Sequence, residues 1–189
     1  MQIIIAGDLV PTKSNIELFN SADLKMLLGE ELLSIWNSVD VRIFNLEVPL
    51  SDRENPIDKW GPNLIAPIST IEGIKALNPS LITLANNHIF DQGINGLKST
   101  KKVLQEYGIP FVGIGDNVID ASKPYIIKQD EFKIGVYACA EHEFSIATDN
   151  TPGANPFDPL ESLDHIQNLK FECNYVIVLY HGGKEHYRY

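Results

Sequence analysis

LITLANNHIFDQG, residues 81–93, runs from an apolar segment straight into two asparagines, a histidine, an aspartate and a glycine. The apolar half is short and rich in strand formers, and the polar half falls where a buried strand hands over to a loop. Such a strand acts as a rigid arm that delivers Asn87 and His88 to one place. Four more short runs have the same character: QIIIA (2–6), DVRIF (40–44), PFVGI (110–114) and NYVIVLY (174–180). All read as buried strands. Between them lie helix candidates. In 30–39, Leu32, Leu33, Ile35, Trp36 and Val39 fall mostly on one side; 69–79 opens on a Ser/Thr cap and stops at Asn78-Pro79; 95–108 ends with Gly108 at the C′ position. This alternation predicts an α/β domain with a largely parallel sheet. In PYIIKQDEFKIGVYA (124–138) two strand-like runs flank Gln129-Asp130-Glu131, so a hairpin is expected there. Toward the C-terminus, Leu160, Leu163, Ile166 and Leu169 are expected to form the buried stripe of a helix that leaves His165 on the surface. Residues 51–67 and 140–159 are rich in Pro, Asn and Asp, and loops of that length are functional covers or disordered tips.

At 189 residues and 44% hydrophobic content, the chain is long enough for a single domain over residues 1–189 with its own core. Cys139 and Cys173 lie far apart without Cys-x-x-Cys spacing, so neither a disulfide framework nor a thiolate zinc site is expected; they read as buried thiols of a reducing compartment. The formal charge of −10 comes without a basic block, which argues against nucleic acid and anionic membrane as partners. No apolar run approaches the roughly 18 residues of a membrane span. QIIIAGD follows Met1 with no positive stretch before it, so a cytoplasmic location is the expectation.

Ligands of open α/β sheets bind outside the carboxyl ends of the strands, where the loops gather. Gly7 and Asp8 follow the first run, Asn45 and Glu47 the second, Asn86, Asn87 and His88 the third, and His181, Gly182, Gly183 and Glu185 the last. Each has a plain structural reading by itself: Asp8 as a turn or cap residue, Asn86 and Asn87 as turn residues tolerant of the left-handed conformation. Four strands releasing such groups at the same end point instead to a shared site. Carboxylate, amide oxygen and imidazole suit Mn²⁺, Zn²⁺ or Fe²⁺ better than a sulfur-seeking ion. Two such ions about 3.5–4 Å apart can hold a phosphate ester and activate water at neutral pH. GIGDN (113–117) lacks the strand–GxGxxG–helix context and reads as a turn, not a nucleotide loop. His142, between Glu141 and Glu143, reads as solvated, and Glu185 and His186 either reach the site or fray near the terminus.

AGDLV (6–10), FNLEVPLS (44–51), LANNHIFDQGINGL (84–97), GIPFVGIGDNVIDASKP (108–124) and VIVLYHGGKEH (176–186) span nearly the whole chain. Together they resemble the poly-gamma-glutamate capsule biosynthesis (CapA) family, a branch of the calcineurin-like metallophosphoesterase superfamily. The resemblance implies a metallophosphoesterase-like sheet of mostly parallel strands with one hairpin, flanked by helices. By the same resemblance, Asp8 is similar to the first metal-binding aspartate of the superfamily. Glu47, with Asn45 beside it, falls where the superfamily places a GDxxD carboxylate, which implies one of the two as the bridging ligand, Asn87 resembles the amide ligand of the GNH signature, and His181 resembles a later histidine ligand. His88 resembles the histidine that protonates the leaving oxygen or stabilises the pentavalent transition state. Asp91, from its spacing, is a partner that fixes the His88 ring. Implied too are one or two divalent ions (Mn, Zn or Fe), a phosphate-ester or polymer substrate, capsule-synthesis proteins as partners, and membrane association in many family members. Two departures stand out. Val10 occupies the position of a superfamily histidine, and the GHxH element falls beyond Tyr189, so the domain is expected to lack the usual C-terminal portion. They keep open a non-catalytic subunit of a polymer-synthesis complex that retains the fold, and an inactive N-terminal fragment of a longer enzyme.

Overall fold

The first apolar run folds as β1 (Ile3–Leu9) and is followed by α1 (Ile16–Asn20), α2 (Leu24–Ser38) and β2 (Val41–Leu46). A short 3-10 turn (Ile68–Thr70) leads into α3 (Ile71–Ala76), then β3 (Leu81–Thr83), α4 (Gly93–Glu106) and β4 (Phe111–Val112). This computed structural model describes residues 1–183; Glu185 and His186 lie outside the described residues. The chain forms two compact units, Met1–Leu84 with His88–Phe111, and Ala85–Asn87 with the chain from Val112 onward.

In the first unit the strands follow the order β1-β2-β3-β4, and β1, β2 and β3 run parallel, with Ile43 opposite both Ile5 and Leu81. β2 lies between two neighbours and is buried along nearly its whole length, with Val41, Ile43, Phe44 and Leu46 in the core. β1 departs from the buried strand expected of it: it is the edge strand, and Ile5 is 48% exposed. Next to it α2 is kinked at Gly29 (φ 76°, ψ 163°), and a cleft of about 490 Å³ opens, lined by Ile4, Asp8, Leu28, Leu32 and Trp36. The helix expected at 30–39 is the segment after Gly29, and a shorter segment from Leu24 precedes it, capped by Asp23 accepting a hydrogen bond from the Met26 N–H at 3.0 Å. The Trp36 ring is buried 6.2 Å from Phe44, and its indole N–H donates to the Leu77 carbonyl at 2.7 Å. Burying an aromatic of this kind contributes about 1.5–3 kcal/mol. The cap expected for α3 is not made, since the Thr70 hydroxyl donates back to the Pro67 carbonyl at 2.7 Å. α4 ends as expected, with Gly108 in the left-handed region at φ 67°.

In the second unit PFVGI is not one strand. Gly113 (φ 90°) separates β4 from β5 (Ile114–Gly115), and a Cβ there would lie 2.7 Å from the Ala85 Cβ. α5 (Val118–Ala121) follows, capped by the Asn117 side chain accepting from the Asp120 N–H at 2.9 Å, so GIGDN, expected as a turn, holds the short strand β5 and then a helix cap. β6 (Tyr125–Gln129) and β7 (Phe132–Ala140) form the expected hairpin, closed by Asp130 and Glu131 with Asp130 at φ 51°. β8 (Gly153–Ala154) pairs antiparallel with β5. α6 (Glu161–Glu172) leads to β9 (Tyr175–His181), which runs parallel to β7 in the order β6-β7-β9.

The buried face of α6 differs from the expected one. Leu160 and Leu163 are 78% and 49% exposed, while Ser162 and Leu169 are buried and His165 stacks on Tyr137 with ring centroids 5.5 Å apart. Tyr137 OH lies 3.0 Å from Ser162 Oγ. A buried phenol needs a polar partner, and the helix turns its small hydroxyl toward it in place of the leucines. Among the described residues, no helix is long and apolar enough to cross a membrane.

Candidate metal centre

The β1–β2 ladder pairs Ile5 with Ile43 and then Asp8 with Asn45, so the register shifts between Ile5 and Asp8. An irregularity of this kind bends a strand and re-aims the side chain that follows it. Here it places Asp8 opposite Asn45, whose amide nitrogen donates to Asp8 Oδ1 at 2.7 Å. Glu47 comes just after β2, its N–H donating to the Leu9 carbonyl at 3.2 Å, and a carboxylate oxygen of Glu47 lies within 4.8 Å of one of Asp8. From the loop after β3, His88 brings Nε2 to 4.0 Å from Glu47 Oε1. On the other side of its ring, His88 Nδ1 lies 2.6 Å from Asp91 Oδ2. An ionised carboxylate only accepts hydrogen bonds, so the ring proton sits on Nδ1 and Nε2 faces the carboxylate cluster.

Asp91 is fully buried and gathers donors. Its Oδ2 also accepts the Leu64 N–H at 2.6 Å, and its Oδ1 is ion-paired with Lys59. The Lys59 side chain is 2% exposed, and its Nζ lies 3.4 Å from His88 Nδ1. The sequence reading missed Lys59. A lone lysine in DKWGPN carries no local signal, because what matters is where the loop runs. That loop, residues 51–67, is tied down as a cover: Asn55 N–H donates to Gln92 Oε1 at 2.6 Å, Ile57 N–H to the Asp91 carbonyl at 3.1 Å, and Gln92 Nε2 to the Leu64 carbonyl at 3.0 Å. Gly93, at φ 60°, lets Asn55 approach closely; a Cβ there would lie 3.1 Å from Asn55 Nδ2.

In the second unit, the last residue of β9, His181, places Nε2 3.0 Å from Asn87 Oδ1. At that distance the two side chains are hydrogen-bonded, the imidazole N–H donating to the amide oxygen. Asn86 is fully buried, its carbonyl accepting from Ser145 Oγ at 2.7 Å, which anchors the second long loop. His142 is exposed, with Nε2 3.1 Å from the Phe157 carbonyl. The donors in both units are oxygen and imidazole, a set that fits Mn²⁺, Zn²⁺ or Fe²⁺. Cys139 does not join them: burial pushes its thiol up to about 11, where it stays protonated.

The profile of bacterial capsule synthesis proteins (PGA_cap) matches residues 2–189. Relatives include the capsule biosynthesis protein CapA of Bacillus anthracis, 30% identical over 153 residues (76% of this chain, 36% of the relative), and the PGA biosynthesis protein CapA of Bacillus subtilis strain 168, 29% identical over 124 residues (62% and 32%). The match thus spans about a third of the length of these relatives. Among solved structures, a phosphatase from Mycoplasma pneumoniae superposes with a TM-score of 0.51 at 18% identity, covering 96% of this chain and 55% of that one. The chain therefore belongs to the bacterial capsule synthesis protein family of CapA and its relatives, built on a metallophosphoesterase-like α/β fold.

Proposed function

We propose that this protein is a divalent-metal-dependent hydrolase of phosphate esters serving the synthesis of a capsule or cell-envelope polymer of the poly-gamma-glutamate type, alongside other capsule-synthesis proteins. The observation that carries the reading is the first-unit cluster in which three neighbouring strands end in Asp8, Asn45, Glu47 and the His88–Asp91 pair. In this reading Asp8, Asn45 and Glu47 are metal donors in the first unit, and Asn87 and His181 in the second. One or two Mn, Zn or Fe ions would supply Lewis-acid polarisation of the phosphoryl group and activation of water. Asn45 orients the Asp8 carboxylate through its amide nitrogen. Asp91 holds the His88 ring through Nδ1–H, so that a second proton taken up at Nε2 is aimed at the departing oxygen and its transfer leaves the neutral Nδ1–H ring.

The test is metal content together with hydrolysis of bis-p-nitrophenyl phosphate in added Mn²⁺. Asp8→Ala is expected to lose bound metal and turnover together. His88→Asn is expected to keep its metal and lose turnover by about 10²–10⁴-fold, the usual worth of a positioned acid. A wild-type protein without metal or turnover would sink the reading. It would shift weight to an accessory subunit that keeps the fold without the chemistry, which Val10 favours by standing where the superfamily has a histidine.

A further inference from the structure

Lysine is almost never fully buried unless it is paired, because desolvating an ammonium costs several kcal/mol. Lys59 sits in the 51–67 loop with its side chain 2% exposed, and Asp91 and His88 are among the groups it meets. A lysine serving only to fasten the loop would be redundant, since Asn55, Ile57 and Leu64 already tie that loop to Asp91 and Gln92 through backbone groups. What Lys59 adds is a charge on one oxygen of the carboxylate whose other oxygen meets the imidazole. Carboxylates rotate, and with Oδ2 shared by the Leu64 N–H and His88, a hold on Oδ1 as well fixes the plane in which Oδ2 meets the ring. We infer that Lys59 is a positioning residue for His88: by gripping Asp91 Oδ1 it locks the carboxylate plane, and through it the ring, so that the proton stays on Nδ1 and Nε2 stays turned toward Glu47. Lys59, Asp91 and His88 form a relay of orientation in which Lys59 touches no substrate. The inference deepens the hydrolase reading and rests on it for its catalytic consequence, but the arrangement of the ring is measurable without turnover.

The experiment compares wild type with Lys59→Met, which keeps the length and removes the charge, and Lys59→Gln, which keeps one donor. Two readouts are taken. Long-range proton–nitrogen spectra of the metal-free protein report the His88 tautomer, and steady-state kinetics with Mn²⁺ report kcat and KM separately. Wild type is expected to show the Nδ1–H form. Lys59→Met is expected to lose that preference and to drop kcat by about 10–100-fold, the usual effect of removing a group that orients a site residue, with KM within about twofold. Lys59→Gln should fall between. A folded Lys59→Met protein with the wild-type tautomer and wild-type kcat would overturn the inference and leave Lys59 a loop fastener. If Lys59→Met does not fold, Lys59→Gln decides by the same readouts, a wild-type spectrum and kcat refuting and a shift in both supporting. Absence of turnover in wild type would sink the hydrolase reading by itself, while the tautomer comparison would still decide what Lys59 does.

Discussion

Asp91→Asn is the substitution whose consequence follows most directly from the structure. It changes one oxygen to an NH₂ at a fully buried position, so volume and shape are nearly conserved. Three donors converge there: the Lys59 ammonium, the Leu64 N–H at 2.6 Å and the His88 Nδ1 at 2.6 Å. An asparagine can turn its single oxygen toward only one side of this set, which leaves its NH₂ facing a donor on the other. A lost hydrogen bond to a charged group is worth about 1.5–3 kcal/mol. The larger effect is on Lys59, whose buried ammonium loses the Asp91 carboxylate, and breaking one partner of such a pair costs about 3–5 kcal/mol in total. Against a typical total stability of about 5–15 kcal/mol, that is about a fifth or more of the fold. An internal control is the Lys102–Glu106 pair on the exposed face of α4, 3.7 Å apart with side chains 74% and 57% exposed. Glu106→Gln should change stability by no more than about 0.5 kcal/mol. The assay is urea unfolding followed by tryptophan fluorescence, in which buried Trp36 reports the first unit and Trp60, 91% exposed, gives a nearly constant background. An Asp91→Asn loss below about 1 kcal/mol, or one no larger than that of Glu106→Gln, would refute the account of Asp91 as the buried counter-ion.

Two more outcomes are expected in the second unit. Burial pushes the Cys139 thiol from 9.0 to about 11, so the folded state favours the neutral form. Its contribution to stability is full below pH 9, where both states are protonated, and is lost as pH rises through about 11; at about 1.4 kcal/mol per pH unit the loss approaches about 3 kcal/mol. Burial also raises Tyr137, which acts in the same direction. Urea midpoints followed by circular dichroism should therefore fall between pH 9 and 11, and a flat profile would contradict the burial of this thiol. Gly113→Ala places a Cβ 2.7 Å from the Ala85 Cβ and 3.1 Å from the Ala138 Cβ at φ 90°. Left-handed strain and overpacking each cost about 1–3 kcal/mol, so a loss of about 2–5 kcal/mol is expected in thermal melts, and a loss under about 1 kcal/mol would show that the strand break at Gly113 is not enforced by this contact.

The sequence was legible wherever the controlling interaction is local. Strand runs, the Gly108 stop of α4 and the Asp130-Glu131 hairpin follow from side-chain period and turn chemistry within a few residues. Local pattern likewise named the polar residues at the strand ends, because whatever follows a buried strand has few places to go. It failed where distant neighbours decide: NYVIVLY, expected as a buried strand, folds as β9 with Tyr175, Val178 and Tyr180 55%, 45% and 52% exposed. β1 was read as buried from its isoleucines, but burial of a strand depends on how many neighbours the sheet gives it. PFVGI was read as one strand, although the close approach of Ala85 to Gly113 splits it. The face of α6 was assigned from its leucines, whereas Tyr137, distant in sequence, called for Ser162.

The amino-acid sequence by itself determined the α/β alternation, the family and the chemical type of the donors, since period, turn residues and motif spacing are written along the chain. Tertiary structure alone brought Lys59 from a featureless loop onto Asp91, turned the Asn45 amide to Asp8, and set Asn87 against His181. The physical reason is that a buried charge is tolerable only where its partner is, and that meeting depends on the path of a loop tied by long-range hydrogen bonds, not on any spacing a linear pattern can display.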